Sequence, residues 1–329
     1  MLNATEDTED LMNTVEHNEN ELFKRYEKNL ILTARDWPYK VNAVFNPGAI
    51  MHDHHFLLLV RVEEMSGFSH LTVARSADGK TGWRIDNKPA LNPEPDAYPE
   101  EMWGVEDPRI VFLDEVKEYA ITYTAFSKQG PLVSLALTKD FIHFRKQGMI
   151  LYPDNKDAAL FPKRFGGRWA LLHRPTMIGS GSQIWLSFSP DLKHWGDHRL
   201  IMETRSGGWW DNHKIGLGPQ PIETSQGWLV IYHGVRKTAS SMLYRVGLAL
   251  LDLDDPTKVI RRCNTWVLGP QESYECIGDV PYVTFPCGVV LEPKTRELYL
   301  YYGAADMGVA LATAHLDEVL DYLRSCPGS

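Results

Sequence analysis

Long apolar runs and an excess of positive charge are both missing from this chain. No segment holds about 18 consecutive apolar residues, so the sequence predicts no membrane span. Asp and Glu number 43 against 34 Lys and Arg, and the formal net charge is −9. Because a nucleic-acid binder requires a basic face, we expect neither a nucleic acid nor a membrane among the partners.

Cysteine is also scarce. The chain has four cysteines, and no two of them have CxxC spacing. The N-terminal stretch MLNATEDTEDLMNTVEHNENE is acidic and polar and contains no hydrophobic signal-peptide core. We therefore expect free thiols, a reducing compartment and a cytoplasmic location.

What the sequence does have is an internal repeat, which decides the fold class. A β-rich stretch followed by an aspartate recurs, and the matching aspartates are Asp78, Asp140, Asp191, Asp254 and Asp317. Alongside it runs a second series, FNPGAI, EDPRIVFL, LFPKRF, GPQPIET and TFPCGVVL, each followed by another strand. Short strands separated by turn residues favour antiparallel sheet. Five such units predict an all-β fold, a five-bladed β-propeller, with a β-sandwich or two β domains as alternatives.

Both ends of the chain differ from the repeat. Residues 1–28 have weak helical spacing and many charges. We predict a helical or disordered extension there and hypothesise that it contributes to a homo-oligomer. Residues 29–329 are predicted to form the propeller domain, with a short helix over LDEVLDYLRS near the C-terminus.

Two positively charged or ionisable side chains end apolar strands at the same blade position. Arg174 and His233 directly follow WALLH and WLVIY. A charge at the end of a buried strand is costly without a partner, so the pair implies a shared partner. An anion such as phosphate fits, because Arg offers a bidentate fork and Lys156 and Lys214 add point charges.

The stretch WGVEDPRIV places two adjacent acids, Glu106 and Asp107, before Pro108, on a turn or strand rather than inside a helix. A carboxylate beside a cationic cluster can serve as a general acid. It can equally cap the turn before Pro108 and pair with Arg109. The residues alone do not separate the two acids.

Two further motifs attract attention. MHDHHF, with His52, His54 and His55, resembles a metal site but has no obvious further ligand nearby, so we expect no metal. Trp209 and Trp210 of GGWW, together with Trp103, form either an aromatic wall for a sugar ring or wedges between blades.

Eight ordered motifs carry a family resemblance: NAVFNPGA, LLLVRVE, WGVEDPRI, KDAALFPKR, LLHRP, KIGLGPQPI, GWLVIYHGV and YYGAAD. With them the chain resembles glycoside hydrolase family 130, the β-mannoside phosphorylases and related mannosidases, over nearly all of residues 29–329. The resemblance implies a five-bladed β-propeller catalytic domain. It also implies inverting phosphorolysis of β-mannosides, with phosphate as co-substrate, α-mannose 1-phosphate as product, and no metal or organic cofactor.

Site roles also follow from the resemblance. The general acid falls on Asp107, which passes its proton through the 3-hydroxyl of the mannosyl unit. The implied phosphate-binding residues are Lys156, Arg174, Lys214, His233 and Tyr244. The substrate-binding residues are Asn46, Arg61 and Asp306, to which we add Trp103. Some relatives carry Arg where this chain has Lys156, so the charge is kept and the bidentate fork is lost.

Other functions stay open at this point. An inverting β-mannosidase that uses water needs a second carboxylate opposite Asp107, and Glu106, Glu203 and Asp211 are candidates. A sugar-binding propeller without catalysis is the non-enzyme alternative. Among phosphorylases, β-1,2-mannobiose or β-1,2-oligomannan is favoured as substrate over β-1,4-mannosides.

Overall fold

A computed structural model describes residues 21–177 and 181–328. The described chain begins with two short strands, β1 (Lys24–Arg25) and β2 (Leu32–Thr33), and a 3-10 turn at Ala34–Asp36. Antiparallel sheets arranged as five blades then follow one another along the chain. The predicted all-β, five-bladed propeller is confirmed.

The first two blades are antiparallel meanders of four strands each. Blade 1 contains β3 (Ala43–His52), β4 (His55–Glu63), β5 (Ser69–Ser76) and β6 (Arg84–Ile85). Blade 2 contains β7 (Gly104–Leu113), β8 (Glu118–Ser127), β9 (Gly130–Thr138) and β10 (Phe144–Leu151). A 3-10 turn at Pro99–Glu101 lies on the connection between them.

Blades 3 and 4 repeat this pattern, each with one additional short strand. Blade 3 contains β11 (Asn155–Leu160), β12 (Trp169–Met177), β13 (Gly181–Ser182), β14 (Ile184–Ser189) and β15 (Gly196–Met202). Blade 4 contains β16 (Lys214–Leu217), β17 (Ile222–Thr224), β18 (Gly227–Lys237), β19 (Met242–Leu251) and β20 (Val259–Arg262).

The fifth blade joins the two ends of the described chain. Its three C-terminal strands are β21 (Thr284–Leu291), β22 (Glu297–Ala304) and β23 (Gly308–His315). Strands β1 and β2 both pair with β23, so the N-terminal side supplies the outer strand of this blade. Strand β21 packs against β3, which closes the ring.

This closure corrects one expectation. Residues 21–28 were expected to belong to a helical or disordered extension, but Lys24–Arg25 forms a strand and Phe23 is buried in the core. The helical interpretation is therefore wrong for residues 21–28. Residues 1–20 lie outside the described residues. The hypothesis that the extension contributes to oligomerisation is therefore not tested by the structure.

Two short helices accompany the strands. Helix α1 (Ser273–Cys276) precedes blade 5, and helix α2 (Leu316–Ser325) follows it. Helix α2 covers the predicted LDEVLDYLRS segment. Its buried residues are Leu316, Val319, Leu320 and Leu323. This spacing places them on one face of the helix, which docks on the core.

The repeated aspartates shape turns in the first three blades. Asp191, for example, accepts hydrogen bonds from the backbone N–H groups of Lys193 and His194, at 3.0 and 2.9 Å. Asp78 and Asp140 bond the same relative positions. The repeat therefore comes from turn chemistry, in which a short carboxylate satisfies the backbone two and three residues on.

The last two members of the aspartate series depart from this pattern. In blade 4 the turn is held by Asp252, which accepts from the N–H groups of Asp254 and Asp255, so Asp254 does not itself bond the turn backbone as Asp78 does. Asp317 lies in the first turn of α2 and pairs with Arg296.

Candidate active site

Three neighbouring innermost strands each carry one polar residue in the left-handed backbone region. These residues are Asn46 on β3, Asp107 on β7 and Asp157 on β11, with φ of 46°, 47° and 53°. Strand pairing slips by one residue at each of them, which defines three β-bulges. Asn and Asp tolerate this conformation better than most residues, and a bulge re-aims its side chain. The repeat therefore directs three polar side chains into one region near the propeller axis.

The Asp107 carboxylate is buried among three of the predicted site residues. Its Oδ1 accepts hydrogen bonds from Asn46 Nδ2 at 2.9 Å and from Arg61 Nη1 at 3.1 Å. Lys156 Nζ lies 4.0 Å from Oδ2. Asp107 itself is 2% exposed. Residues from blades 1, 2 and 3 thus meet at a single carboxylate.

Arg61 distinguishes the two adjacent acids. Its Nη2 donates to Glu106 at 3.1 Å, its Nη1 to Asp107, and its Nε to Ser69 Oγ at 3.0 Å. The guanidinium also lies over the ring of Phe45. Glu106 contacts this cation from outside the cluster, whereas Asp107 lies inside it. The structure therefore separates two acids that the sequence left equivalent.

Charge keeps Asp107 ionised in the unliganded protein. Burial alone would raise the pKa of its carboxyl group, but the positive charges of Arg61, Lys156 and Arg109 and the Asn46 hydrogen bond outweigh that effect and hold the pKa below its usual value.

Arg109 does not pair with the Asp107 carboxylate as the turn-capping alternative supposed. Its Nη1 donates to the backbone carbonyl of Asp107 at 2.8 Å, and its Nη2 lies 3.4 Å from Asp157 Oδ1. It also donates to the carbonyls of Gly218 and Leu217. This buried side chain links the Asp107 bulge to the Asp157 bulge, a role that the sequence analysis did not identify.

Arg174 and His233 share a partner, as the sequence argument required, but that partner is a protein carboxylate. Arg174 Nε donates to Asp157 Oδ2 at 2.7 Å, and His233 Nε2 lies 3.6 Å from the same oxygen. All three side chains are buried. Asp157 was missed as a site residue, although aligning KDAAL with EDPRI along the repeat would have placed it at the position equivalent to Asp107.

Lys214 and Tyr244 complete the predicted phosphate-binding group. Lys214 Nζ lies 4.7 Å from the centre of the Tyr244 ring, and that ring is 5.9 Å from the imidazole of His233. Burial and the charges of Arg174 and Lys156, opposed by Asp157, lower the pKa of Lys214 to about 8. Burial, together with the charge of Asp157, raises the pKa of Tyr244 to about 12, so its hydroxyl stays a donor at neutral pH.

His233 contributes no positive charge at neutral pH. Burial first, and then the nearby cations Arg174, Lys214 and Arg109, lower its pKa to about 3 in spite of the Asp157 carboxylate. Of the four side chains that could carry positive charge, three therefore act as cations in the cluster: Arg174, Lys214 and Lys156.

The remaining predicted substrate residues are Asp306, which lies near the Asp107 cluster, and Trp103, which has no contact with that cluster among the described residues. Asp306, in the turn between β22 and β23, has a φ of 55°. Burial raises its pKa to about 6, partly offset by the charge of Arg61. Trp103 directly precedes β7, is 37% exposed and meets Phe126 edge-on at 5.3 Å. Its ring is therefore partly exposed just before the strand that carries Asp107.

Two of the second-carboxylate candidates lie elsewhere. Asp211 is fully buried and is held by Arg205, Arg262 and the Tyr232 hydroxyl. Glu203 is exposed at the end of β15.

The remaining motifs also have local roles. Trp210 is buried against Tyr232, which supports the wedge interpretation, and Trp209 lies exposed beneath Arg205. His52 contacts the Tyr119 hydroxyl at 3.1 Å. Across residues 21–177 and 181–328, no group of three His, Cys, Asp or Glu side chains is arranged to hold a metal ion.

Comparison with known proteins gives consistent matches. A family model described as beta-1,4-mannooligosaccharide phosphorylase matches residues 12–325. The chain is 38% identical over 268 residues to a beta-1,2-mannobiose phosphorylase of Listeria innocua, covering 79% of this chain and 72% of the relative. It is 34% identical over 309 residues to a beta-1,4-mannooligosaccharide phosphorylase of Ruminococcus albus, covering 92% and 90%.

The fold comparison agrees. The solved structure of Listeria innocua beta-1,2-mannobiose phosphorylase with beta-1,2-mannobiose superposes with a TM-score of 0.83 at 31% identity. The match covers 92% of this chain and 99% of that one.

Proposed function

Because the chain belongs to glycoside hydrolase family 130, we propose that it is an inverting β-mannoside phosphorylase. In this reaction inorganic phosphate attacks the anomeric carbon of a β-mannoside. The glycosidic bond breaks, the leaving sugar takes a proton, and α-mannose 1-phosphate forms. The reaction is reversible, and phosphate is a substrate, so the proposal includes no metal or organic cofactor.

One observation carries the proposal: a group of cations extends from the candidate acid, and its member Lys156 borders that acid directly. Lys156 lies 4.0 Å from Asp107, and its backbone pairs with Arg174 across β11 and β12. Phosphate is already an anionic nucleophile and needs no general base. One acid, with Lys156 beside it and Arg174 and Lys214 in the adjoining blades, is therefore the set of groups that a phosphorylase requires.

Asp107 is assigned as the general acid. It must be protonated to donate, and Lys156 is one of the charges that hold its pKa down. A bound phosphate brings negative charge to Lys156 and its neighbours. The pKa of Asp107 then rises, so phosphate binding itself prepares the acid for proton transfer. The proton reaches the glycosidic oxygen through the 3-hydroxyl of the mannosyl unit.

The other residues are assigned by position. Arg174, Lys214, Lys156, His233 and Tyr244 bind phosphate, the last two through uncharged groups. Asn46, Arg61 and Asp306 lie near Asp107 and hold the mannosyl unit. The partly exposed ring of Trp103 stacks on a sugar. The free thiols support a reducing, cytoplasmic location. No helix in the described ranges is long and apolar enough to cross a membrane.

Hydrolysis by water is the competing reaction. It needs a carboxylate base opposite Asp107 with room for a water molecule between them. Asp157 is the nearest analogue in the repeat, but Arg174, Arg109 and His233 enclose it, and the charges of the two arginines hold its pKa far below the usual value despite burial. A carboxylate stabilised in this way is a weak base, which favours phosphate as the nucleophile.

We further propose the β-1,2 linkage as the preferred one, because the relative at 38% identity and the superposed structure both carry that name. The test is an incubation with β-1,2- or β-1,4-mannobiose, each with and without inorganic phosphate, with products separated by chromatography. We expect mannose 1-phosphate only when phosphate is present, and faster from β-1,2-mannobiose. Free mannose released equally without phosphate would replace the proposal with a mannosidase.

A further inference from the structure

Asp157 lies at the centre of the phosphate-binding group without being able to bind phosphate itself. Its carboxylate is 1% exposed, and its neighbours come from three blades. Arg174 donates from Nε to Oδ2 at 2.7 Å, Arg109 Nη2 lies 3.4 Å from Oδ1, and His233 Nε2 lies 3.6 Å from Oδ2. An anion at this position repels phosphate, so its presence requires a compensating benefit.

We propose that Asp157 is a positioning residue that organises the phosphate site, an inference that rests on the proposed phosphorolysis. By taking the Nε edge of Arg174, the carboxylate fixes the guanidinium plane and leaves the two terminal amino groups for bidentate contact with phosphate. Side-chain groups that are already oriented lose less conformational entropy when the ligand binds.

Asp157 also sets the proton arrangement of His233. A neutral imidazole has one N–H donor and one acceptor nitrogen. Because Nε2 faces a carboxylate, Nε2 carries the hydrogen, and Nδ1 is the acceptor. Nδ1 is buried and has no hydrogen-bond partner among the described residues. A protonated phosphate oxygen is a ligand group that could donate to it.

The carboxylate further limits repulsion among the cations. Arg174 and Lys156 lower the pKa of Lys214, and Asp157 opposes them. Without Asp157, the pKa of Lys214 would be lower. The lysine would then lose at a lower pH the positive charge that is proposed to bind phosphate.

The neighbouring strand accommodates this arrangement through Gly216. A Cβ atom there would lie 2.6 Å from Asp157 Oδ2 and 2.6 Å from His233 Cε1. Gly216 therefore gives a way to displace both side chains without altering any charge.

The test compares Asp157→Asn with the wild-type enzyme and with Asp191→Asn, the same substitution at an exposed turn of the same blade. For Asp157→Asn we expect the KM for phosphate to rise on the order of tenfold to a hundredfold. The KM for the mannoside should change much less, and the alkaline loss of phosphate affinity should move to lower pH. Asp191→Asn should match the wild type in all three.

An unchanged or lower phosphate KM in Asp157→Asn would overturn the inference, since a merely repulsive anion improves binding when removed. Gly216→Ala is the second variant. We expect a raised phosphate KM with the wild-type pH dependence, and an unchanged phosphate KM would contradict the positioning role even if Asp157→Asn does not fold. If neither variant folds, Asp157 serves the fold rather than the site, which also overturns the inference.

Binding of inorganic phosphate, measured by calorimetry without the sugar, distinguishes the proposed phosphorolysis from the positioning role of Asp157. A wild-type protein that does not bind phosphate would reject the proposed function. A wild type and an Asp157→Asn variant that bind it equally would reject only the role of Asp157.

Discussion

Asp107 and Asp157 occupy equivalent bulges in neighbouring blades, but their carboxylates have different surroundings. Both residues have φ near 50° and are buried, and cations lower the pKa of both. Asp107 receives one amide and one guanidinium hydrogen bond on Oδ1, and among the described residues Lys156 lies 4.0 Å from its Oδ2. Asp157 is enclosed on both oxygens. The same backbone conformation thus places one carboxylate beside an amide, a guanidinium and a lysine, and the other among two arginines and a histidine.

The largest expected effect is the loss of catalytic rate when Asp107 is replaced. Asp107→Asn keeps the hydrogen bonds but removes the transferable proton. We expect kcat for phosphorolysis to fall about 10²- to 10⁴-fold, while phosphate binding measured by calorimetry is retained. Full activity of the variant would assign the proton to another group, with Glu106 the first alternative.

On the phosphate side, we expect Arg174→Ala to raise the phosphate KM by about ten- to a hundredfold. Its effect on the mannoside KM should be small, because Arg174 contacts Asp157 rather than the Asp107 cluster. Initial rates measured over a matrix of phosphate and mannoside concentrations distinguish the two constants. An unchanged phosphate dependence would remove Arg174 from the pocket.

The titration of Lys214 should make the KM for phosphate, but not the KM for the mannoside, depend on pH. The Lys214 pKa of about 8 means that this lysine is charged below that pH and loses its charge above it. We expect the phosphate KM to increase above pH 8 by at most about tenfold per pH unit. Lys214→Arg, whose charge persists, should abolish that increase. An identical alkaline profile in both proteins would exclude Lys214 as its origin.

The smallest effect concerns stability near the acid. The folded-state pKa of Asp306 is raised to about 6 from 3.8, so its contribution to stability is complete below pH 4 and is lost as pH rises through 6. Asp306→Asn removes that loss. We expect the variant to unfold like the wild type at pH 4 and to be more stable at pH 8, by at most about 3 kcal/mol. Denaturant titrations at both pH values measure this difference, and a variant that is less stable at pH 8 would contradict it.

Much of the fold was predictable because its signals are local. Turn aspartates such as Asp78 and Asp140 bond their own backbone, and the apolar spacing of α2 needs no distant partner. The closure of the ring was not predictable, because the pairing of Lys24–Arg25 with β23 joins segments almost 300 residues apart by backbone hydrogen bonds that carry no sequence signal.

The candidate site divides in the same way. The sequence and its family resemblance identified Asp107 and the cationic residues by type and by place in the repeat. They missed Asp157, which the repeat alignment could have shown, and the role of Arg109, whose partners come from other blades and depend on their assembly. His233 was counted among potential cations, but burial beside Arg174 and Lys214 makes it neutral.

The sequence by itself determined five repeats, their turns and the chemical inventory of one motif acid with several cations. These depend on residue types at short spacing along the chain. Only the tertiary structure decided which partners surround each carboxylate, which cations an internal anion holds, and which side chains keep their charge. Those properties depend on distance and desolvation between blades, which one-dimensional spacing does not encode.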